Sequence, residues 1–145
     1  RDLVRSRGLG DVYKRQASYR EILIGGTKYK ELASQIRSLN DLSGIPVIGL
    51  ADGTGTRELY HRYFLSHGLM FAPDMEAATT DQILPMITHN LGIGFYPEEL
   101  AAEAIARGSA YAIRLVEPIP EREICLVTNS STQMSAAVRK VISFL

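Results

Sequence analysis

One cysteine in 145 residues, Cys125, leaves no internal disulfide possible. Basic and acidic residues balance at 16 each, so no global charge draws the chain to nucleic acid or to an anionic membrane. His61, His67 and His89 lack the i,i+4 spacing of a helical metal pair, and no metal ligand set is expected. The longest uncharged run, Gln82–Pro97, carries Gln82, Thr88, His89, Asn90 and two prolines and falls short of the roughly 20 apolar residues of a membrane span. Nucleotide signatures are missing too. Gly53-Thr54-Gly55 meets Glu58 where a third glycine belongs, and no Gly-Lys-Ser/Thr occurs. These absences leave a soluble chain of a reducing, cytoplasmic compartment, with no cofactor and no membrane partner expected.

What is present is ordinary for about one globular domain: 46% hydrophobic residues, 22% charged and 12 glycines. The charge balance hides an asymmetry. Residues 1–16 hold Arg1, Arg5, Arg7, Lys14 and Arg15 against Asp2 and Asp11, an excess the remainder offsets. They show no steady apolar period and no apolar run of the kind a signal peptide needs. Their wording, from Arg1 through Gly8-Leu9-Gly10 to Gln16, resembles translated sequencing adaptor joined to a shortened reading frame. Residues 1–16 are therefore expected to be a non-native tail, with a native basic N-terminal tail as the alternative, and they carry no expectation of fold.

From Ala17 onward strands and helices alternate. Glu21–Ile24 before Gly25-Gly26 predicts a strand, and Lys28–Asn40 a connector with one short helical piece, Ser38–Leu42 offering the caps. Pro46–Leu50 reads as a buried strand that feeds the loop Asp52-Gly53-Thr54-Gly55-Thr56. The helix that follows places Leu59, Tyr60, Tyr63, Phe64 and His67 on one face and stops at Gly68. Met75–Thr79 predicts a second strand. After Thr79-Thr80-Asp81 comes a helix striped by Ile83, Leu84, Ile87 and Leu91, which either starts late enough to hold Pro85 in its first turn, the favoured reading, or kinks there. Gly92–Tyr96 reads as a strand, Pro97-Glu98-Glu99 as the start of a third helix closed by Gly108, and Tyr111–Leu115 and Glu123–Thr128 as strands. Gln133–Leu145 carries the best-spaced helical stripe. The order predicts an α/β sheet with helices on its faces.

Chemistry concentrates at one kind of place. The Asp52–Thr56 loop joins a strand's carboxyl end to a helix's amino end, where unpaired N–H groups and the helix dipole suit a carboxylate or phosphate. Gly53, Thr54, Gly55 and Thr56 are the candidates for a small anionic ligand; the same residues serve equally well as turn and cap. Thr79, Thr80 and Asp81 repeat the arrangement at the next junction, with capping as their plain alternative. No catalytic group emerges. Cys125 alternates within a strand as a packed thiol would, the histidines have no triad partner, and Glu98-Glu99 sit where first-turn acids are common.

The ordered set Ser38–Leu42, Pro46–Leu50, Arg57, His67-Gly68-Leu69, Thr80–Leu84, Leu91–Pro97 and Pro118–Val127 resembles the effector-binding domain of LysR-type transcriptional regulators over about residues 20–145. The resemblance implies the type II periplasmic-binding-protein fold in two lobes, with lobe two (31–116) complete and lobe one (17–30 and 117–145) partial. Crossover strands fall near Ile22–Ile24 and Ile119–Val127. It implies an inducer cleft whose lobe-two side uses the loop matching Gly53–Thr56 and the segment matching Thr79–Asp81. It further implies a parent protein with an N-terminal DNA-binding module absent from this chain, a homo-dimer or tetramer that touches DNA only through that module and couples a small inducer to transcription. A solute-binding protein or a small-acid enzyme on the same two-lobed fold, such as a prephenate dehydratase, is the alternative. The first needs an export signal; the second needs an acid or base in the cleft that these loops do not supply.

Overall fold

The computed structural model describes residues 12–129, with side chains described over 18–122. The predicted helix Gln133–Leu145 and residues 1–11 lie outside the described residues. In chain order the elements are β1 (Val12–Tyr19), β2 (Glu21–Gly25), β3 (Val47–Leu50), α1 (Gly55–Leu65), β4 (Met75–Ala77), α2 (Ile83–Thr88), β5 (Ile93–Pro97), α3 (Glu98–Ala106), β6 (Tyr111–Ile113) and β7 (Arg122–Asn129). Contacts divide the chain into two units, Arg20–Pro120 and the two flanking segments. Residues 20–30 and 117–120 thus fall in the unit that holds 31–116.

In the Arg20–Pro120 unit, five strands lie in the order β4-β3-β5-β2-β6. β3 runs parallel to β4 and to β5, while β2 is antiparallel to β5 and to β6. The chain steps from β3 through α1 to β4 on one side, then through α2 to β5 on the other side of β3. Right-handed crossovers in opposite directions put α1 and α2 on opposite faces. The core divides accordingly. Leu23, Phe95 and Ile113 pack with Tyr60, Tyr63 and Phe64 of α1. Ile24, Ile48 and Tyr96 pack with Ile83 and Ile87 of α2 and with Ala101 of α3. Leu23 and Ile24 are neighbours in β2 yet both fully buried, because this strand is covered on both faces.

Local signals account for most boundaries. Thr54 caps α1, its side chain accepting the Arg57 N–H, and Gly68 ends that segment at φ +77°. A 3-10 turn over Thr80–Gln82 precedes α2, so Pro85 sits in the first turn of the α-helix, as its missing N–H requires. Three differences have simple causes. α1 stops at Leu65, which leaves His67 exposed instead of on the buried face. The 28–40 connector holds 3-10 turns at Thr27–Tyr29, Leu32–Ser34 and Leu39–Leu42 instead of one helical piece, for its polar residues bury too little to propagate a helix. Pro97 keeps extended backbone, ψ 132°, and ends β5, so α3 begins at Glu98.

The second unit contains an antiparallel ladder of β1 with β7, from Val12↔Asn129 to Tyr19↔Arg122. Val12–Gln16 lie in β1, so the later part of the 1–16 stretch is paired in this ladder. Ladder bonds use main-chain N–H and C=O groups, and a stretch free of proline can supply them without any apolar period.

Candidate functional site

β3 and β4 end level with each other. Their parallel register pairs Leu50 with Ala77, and the Ala51 N–H continues it by donating to the Ala77 carbonyl at 3.2 Å. The loops 51–54 and 78–82 therefore leave the same edge of the sheet from adjacent strands. This is the carboxyl edge, where open α/β sheets take their ligands.

In the first loop, Gly53 turns the chain at φ +91°, a conformation that favours glycine. Thr54 follows with its hydroxyl donating to the Ala51 carbonyl at 3.0 Å and accepting the Arg57 N–H at 3.0 Å. The capping alternative is thus realised at Thr54. Gly55 and Thr56 open the helix, and a Cβ built on Gly53 or Gly55 meets nothing within 4 Å. The backbone of this corner is open to an approaching group. In the second loop, Thr79, Thr80 and Asp81 are all exposed, and Thr79 stands before the 3-10 turn without capping it. The Gln82 side chain reaches back past it and accepts the Ala78 N–H at 2.9 Å. Asp81 lies near Tyr96 on β5. Burial, and then the Asp81 charge, push the Tyr96 hydroxyl above its ordinary range.

Arg57 joins the two strands that lead into these loops. Its side chain is 18% exposed; Nη1 donates to the Leu50 carbonyl and to Glu76 Oε2, each at 2.9 Å, and the guanidinium lies 5.9 Å from the Phe71 ring centre. Neither composition nor spacing marks Arg57 as a linking side chain. A signal was available: a cation in the first turn of a helix opposes the dipole and needs a partner elsewhere. Farther along α1, the Tyr60 hydroxyl donates to Glu21, which is 7% exposed, and the Tyr63 hydroxyl donates to the Glu117 carbonyl at 2.8 Å. Neither pairing was legible from spacing. Of the histidines, His67 meets the Tyr63 ring edge-on at 5.6 Å and His89 Nδ1 lies 2.7 Å from the Pro85 carbonyl. Among the described residues no three His, Cys, Asp or Glu side chains are grouped to hold a metal, and no helix is long and apolar enough to cross a membrane.

The five-stranded α/β unit thus carries two backbone-rich corners side by side at its carboxyl edge. Residues 18–145 match the LysR substrate binding domain, and the chain belongs to that family. In sequence it is 23% identical over 124 residues to the uncharacterized HTH-type transcriptional regulator YeiE of Escherichia coli K12, covering 86% of this chain and 42% of that protein. In structure it is similar to the effector-binding domain of QuiR in complex with shikimate, at TM-score 0.65 and 15% identity, covering 97% of this chain and 66% of that one. It is likewise similar to the regulatory domain of Synechocystis PCC6803 CcmR in complex with 2-PG, at TM-score 0.67 and 16% identity, covering 98% and 69%. The fold is the periplasmic-binding-protein-like fold of LysR effector-binding domains. The chain spans less than half the length of the curated relative it matches.

Proposed function

We propose that this chain is the effector-sensing part of a LysR-type transcriptional regulator of the cytoplasm, and that Gly53, Thr54, Gly55 and Thr56 with Thr79, Thr80 and Asp81 form one side of its inducer cleft. The Arg20–Pro120 unit then corresponds to lobe two, and β1 and β7 to strands that lead towards lobe one. The observation that carries the reading is the Leu50↔Ala77 register, which sets both loops on one edge. Main-chain N–H groups at the start of α1 suit a carboxylate or phosphate. Asp81 repels such a group but accepts hydrogen bonds from hydroxyls. The pairing selects a small hydroxylated acid, a class that includes the shikimate bound by QuiR.

In the parent protein the inducer binds one arrangement of the domain more tightly than another, and a differential of about 1–3 kcal/mol shifts a homo-oligomer on its operator. DNA is reached through a module outside this chain.

Thermal-shift screening of the chain against shikimate, other small hydroxy acids and sugar acids tests the reading. Stabilisation by an acid that Thr54→Val with Thr80→Val abolishes is the expected result. The same shift in the double variant removes these loops from the site.

A further inference from the structure

Helix α1 does more than present an anion corner. Its buried face carries Tyr60, Tyr63 and Phe64, packed with Phe71 and Phe95; Tyr60 stacks on Phe95 at 4.3 Å and meets Tyr63 edge-on at 6.2 Å. Phenylalanine fills such positions at Phe64, Phe71 and Phe95. A hydroxyl on a buried ring costs free energy unless it is bonded, so packing alone does not explain tyrosine at 60 and 63. Both hydroxyls are bonded, and their partners share one property. Glu21 is the second residue of the Arg20–Pro120 unit, and Glu117 stands three residues before its last. These are the two segments through which the chain enters and leaves the unit.

Glu117 is itself held twice. Its carbonyl accepts the Tyr63 hydroxyl, and its Oε1 accepts the Leu39 N–H at 3.0 Å. Burial, and secondarily the Glu117 charge, push the Tyr63 hydroxyl up, which keeps it a protonated donor. Thr54 at the head of the same helix is tied to β3 through the Ala51 carbonyl. At 1.5 Å per residue, Gly55 lies only about 8 Å along the axis from Tyr60.

We propose that α1 is a transmission element, with Tyr60 and Tyr63 as positioning residues that relay a change at the Gly53–Arg57 corner separately to the Glu21 segment and to the Glu117 segment. The inference rests on the reading of that corner as the effector site, and deepens it by naming how the site reaches the rest of the molecule.

The test is an amide NMR titration of the full 145-residue chain with inorganic phosphate as the anion probe. In the wild type, signals of residues 53–57, 21–23 and 116–119 should move together with one midpoint. Tyr60→Phe should retain the movement at 53–57 and at 116–119 but lose at least half of it at 21–23. Tyr63→Phe should spare 21–23 and lose 116–119. A mere packing defect would blunt both segments in either variant, and that result overturns the proposal, as does movement confined to 53–57 in the wild type. If phosphate moves nothing at 53–57, the anion corner fails as a site. Transmission is then read with Thr54→Ala, which disturbs the same helix end. Displaced signals at 21–23 and 116–119 that Tyr60→Phe and Tyr63→Phe respectively suppress support the relay, and undisplaced signals end it.

Discussion

The Arg57 guanidinium and the Glu76 carboxylate meet at 2.9 Å, and the same Nη1 holds the last carbonyl of β3, that of Leu50. One side chain thus fastens the strand before the first loop to the strand before the second. An ion pair with Glu76 half exposed contributes little by itself. The bond to Leu50 matters more, because its loss leaves a sheltered carbonyl without this donor.

Arg57→Met should therefore destabilise the chain by about 1–3 kcal/mol, and Glu76→Gln, which leaves the Leu50 bond in place, by less than about 1 kcal/mol. Urea unfolding of the two variants measures both. Equal losses would show that the ion pair, and not the carbonyl bond, sets the energy.

Thr54 satisfies the Arg57 N–H, one of the orphan donors of the first turn of α1. Thr54→Ala should cost about 1 kcal/mol and Thr54→Ser only a few tenths, since serine presents the same oxygen. The midpoints of urea denaturation for the three proteins order these effects.

Gly26 is held by proximity instead of by its dihedral angle. A Cβ there would lie 2.3 Å from Asn90 Oδ1 and 2.5 Å from the Ile87 carbonyl. Asn90 cannot yield freely, because its Oδ1 accepts the Lys28 N–H and its Nδ2 donates to Thr27. Gly26→Ala should destabilise by about 1–3 kcal/mol, the range of overpacked sites, whereas the same change at Gly44, where φ is +83° and nothing lies within 4 Å, should cost only the roughly 1–2 kcal/mol of a left-handed alanine. Thermal unfolding of the pair compares crowding with backbone strain: Gly26→Ala should lower the melting temperature at least as much as Gly44→Ala, because the Ile87 carbonyl is main chain and cannot turn aside.

Tyr63 and Tyr96 both have hydroxyls pushed above the usual phenol range, chiefly by burial. Above the ordinary pKa of about 10 the unfolded chain loses these protons while the native one keeps them, so the unfolded state binds fewer protons and stability falls as pH rises. Stability should be flat in these groups below pH 10 and decline above it. Tyr63→Phe should make the decline shallower in denaturant titrations across that window, and an unchanged slope would exclude Tyr63 as its source.

Much of the candidate site was legible because its elements are local. The run Pro46–Leu50, the glycines after it, the cap at Thr54 and the late start that Pro85 imposes on α2 are each decided within a few residues, and the sequence shows them. What was hidden depends on pairing between distant segments. No spacing announces that Val12–Gln16 finds Cys125–Asn129 across more than a hundred residues, since any proline-free backbone offers the same donors and acceptors. The partners of Tyr60 and Tyr63 follow from where β2 and the Glu117 segment lie beside α1, a tertiary matter. His67 illustrates the opposite case: its helical spacing was right, but the helix ends before reaching it.

Gly55 gives the sharpest separation of stability from binding. It is the first helical residue of α1, its φ is not positive, and a Cβ there would meet nothing within 4 Å. Alanine restricts the unfolded chain and suits a helix better than glycine, so Gly55→Ala should stabilise the chain by about 0.4–1 kcal/mol. The same methyl would project into the space that the proposed anion must enter to reach the N–H groups of the corner. Whichever acid raises the melting temperature of the wild type should therefore raise that of Gly55→Ala less, although the variant starts from a higher value without ligand. A structural turn with no ligand predicts the first effect alone. A smaller ligand shift on a more stable variant is the result expected if the glycine is kept for access at the expense of stability, and an equal shift at matched ligand excess would remove Gly55 from the site.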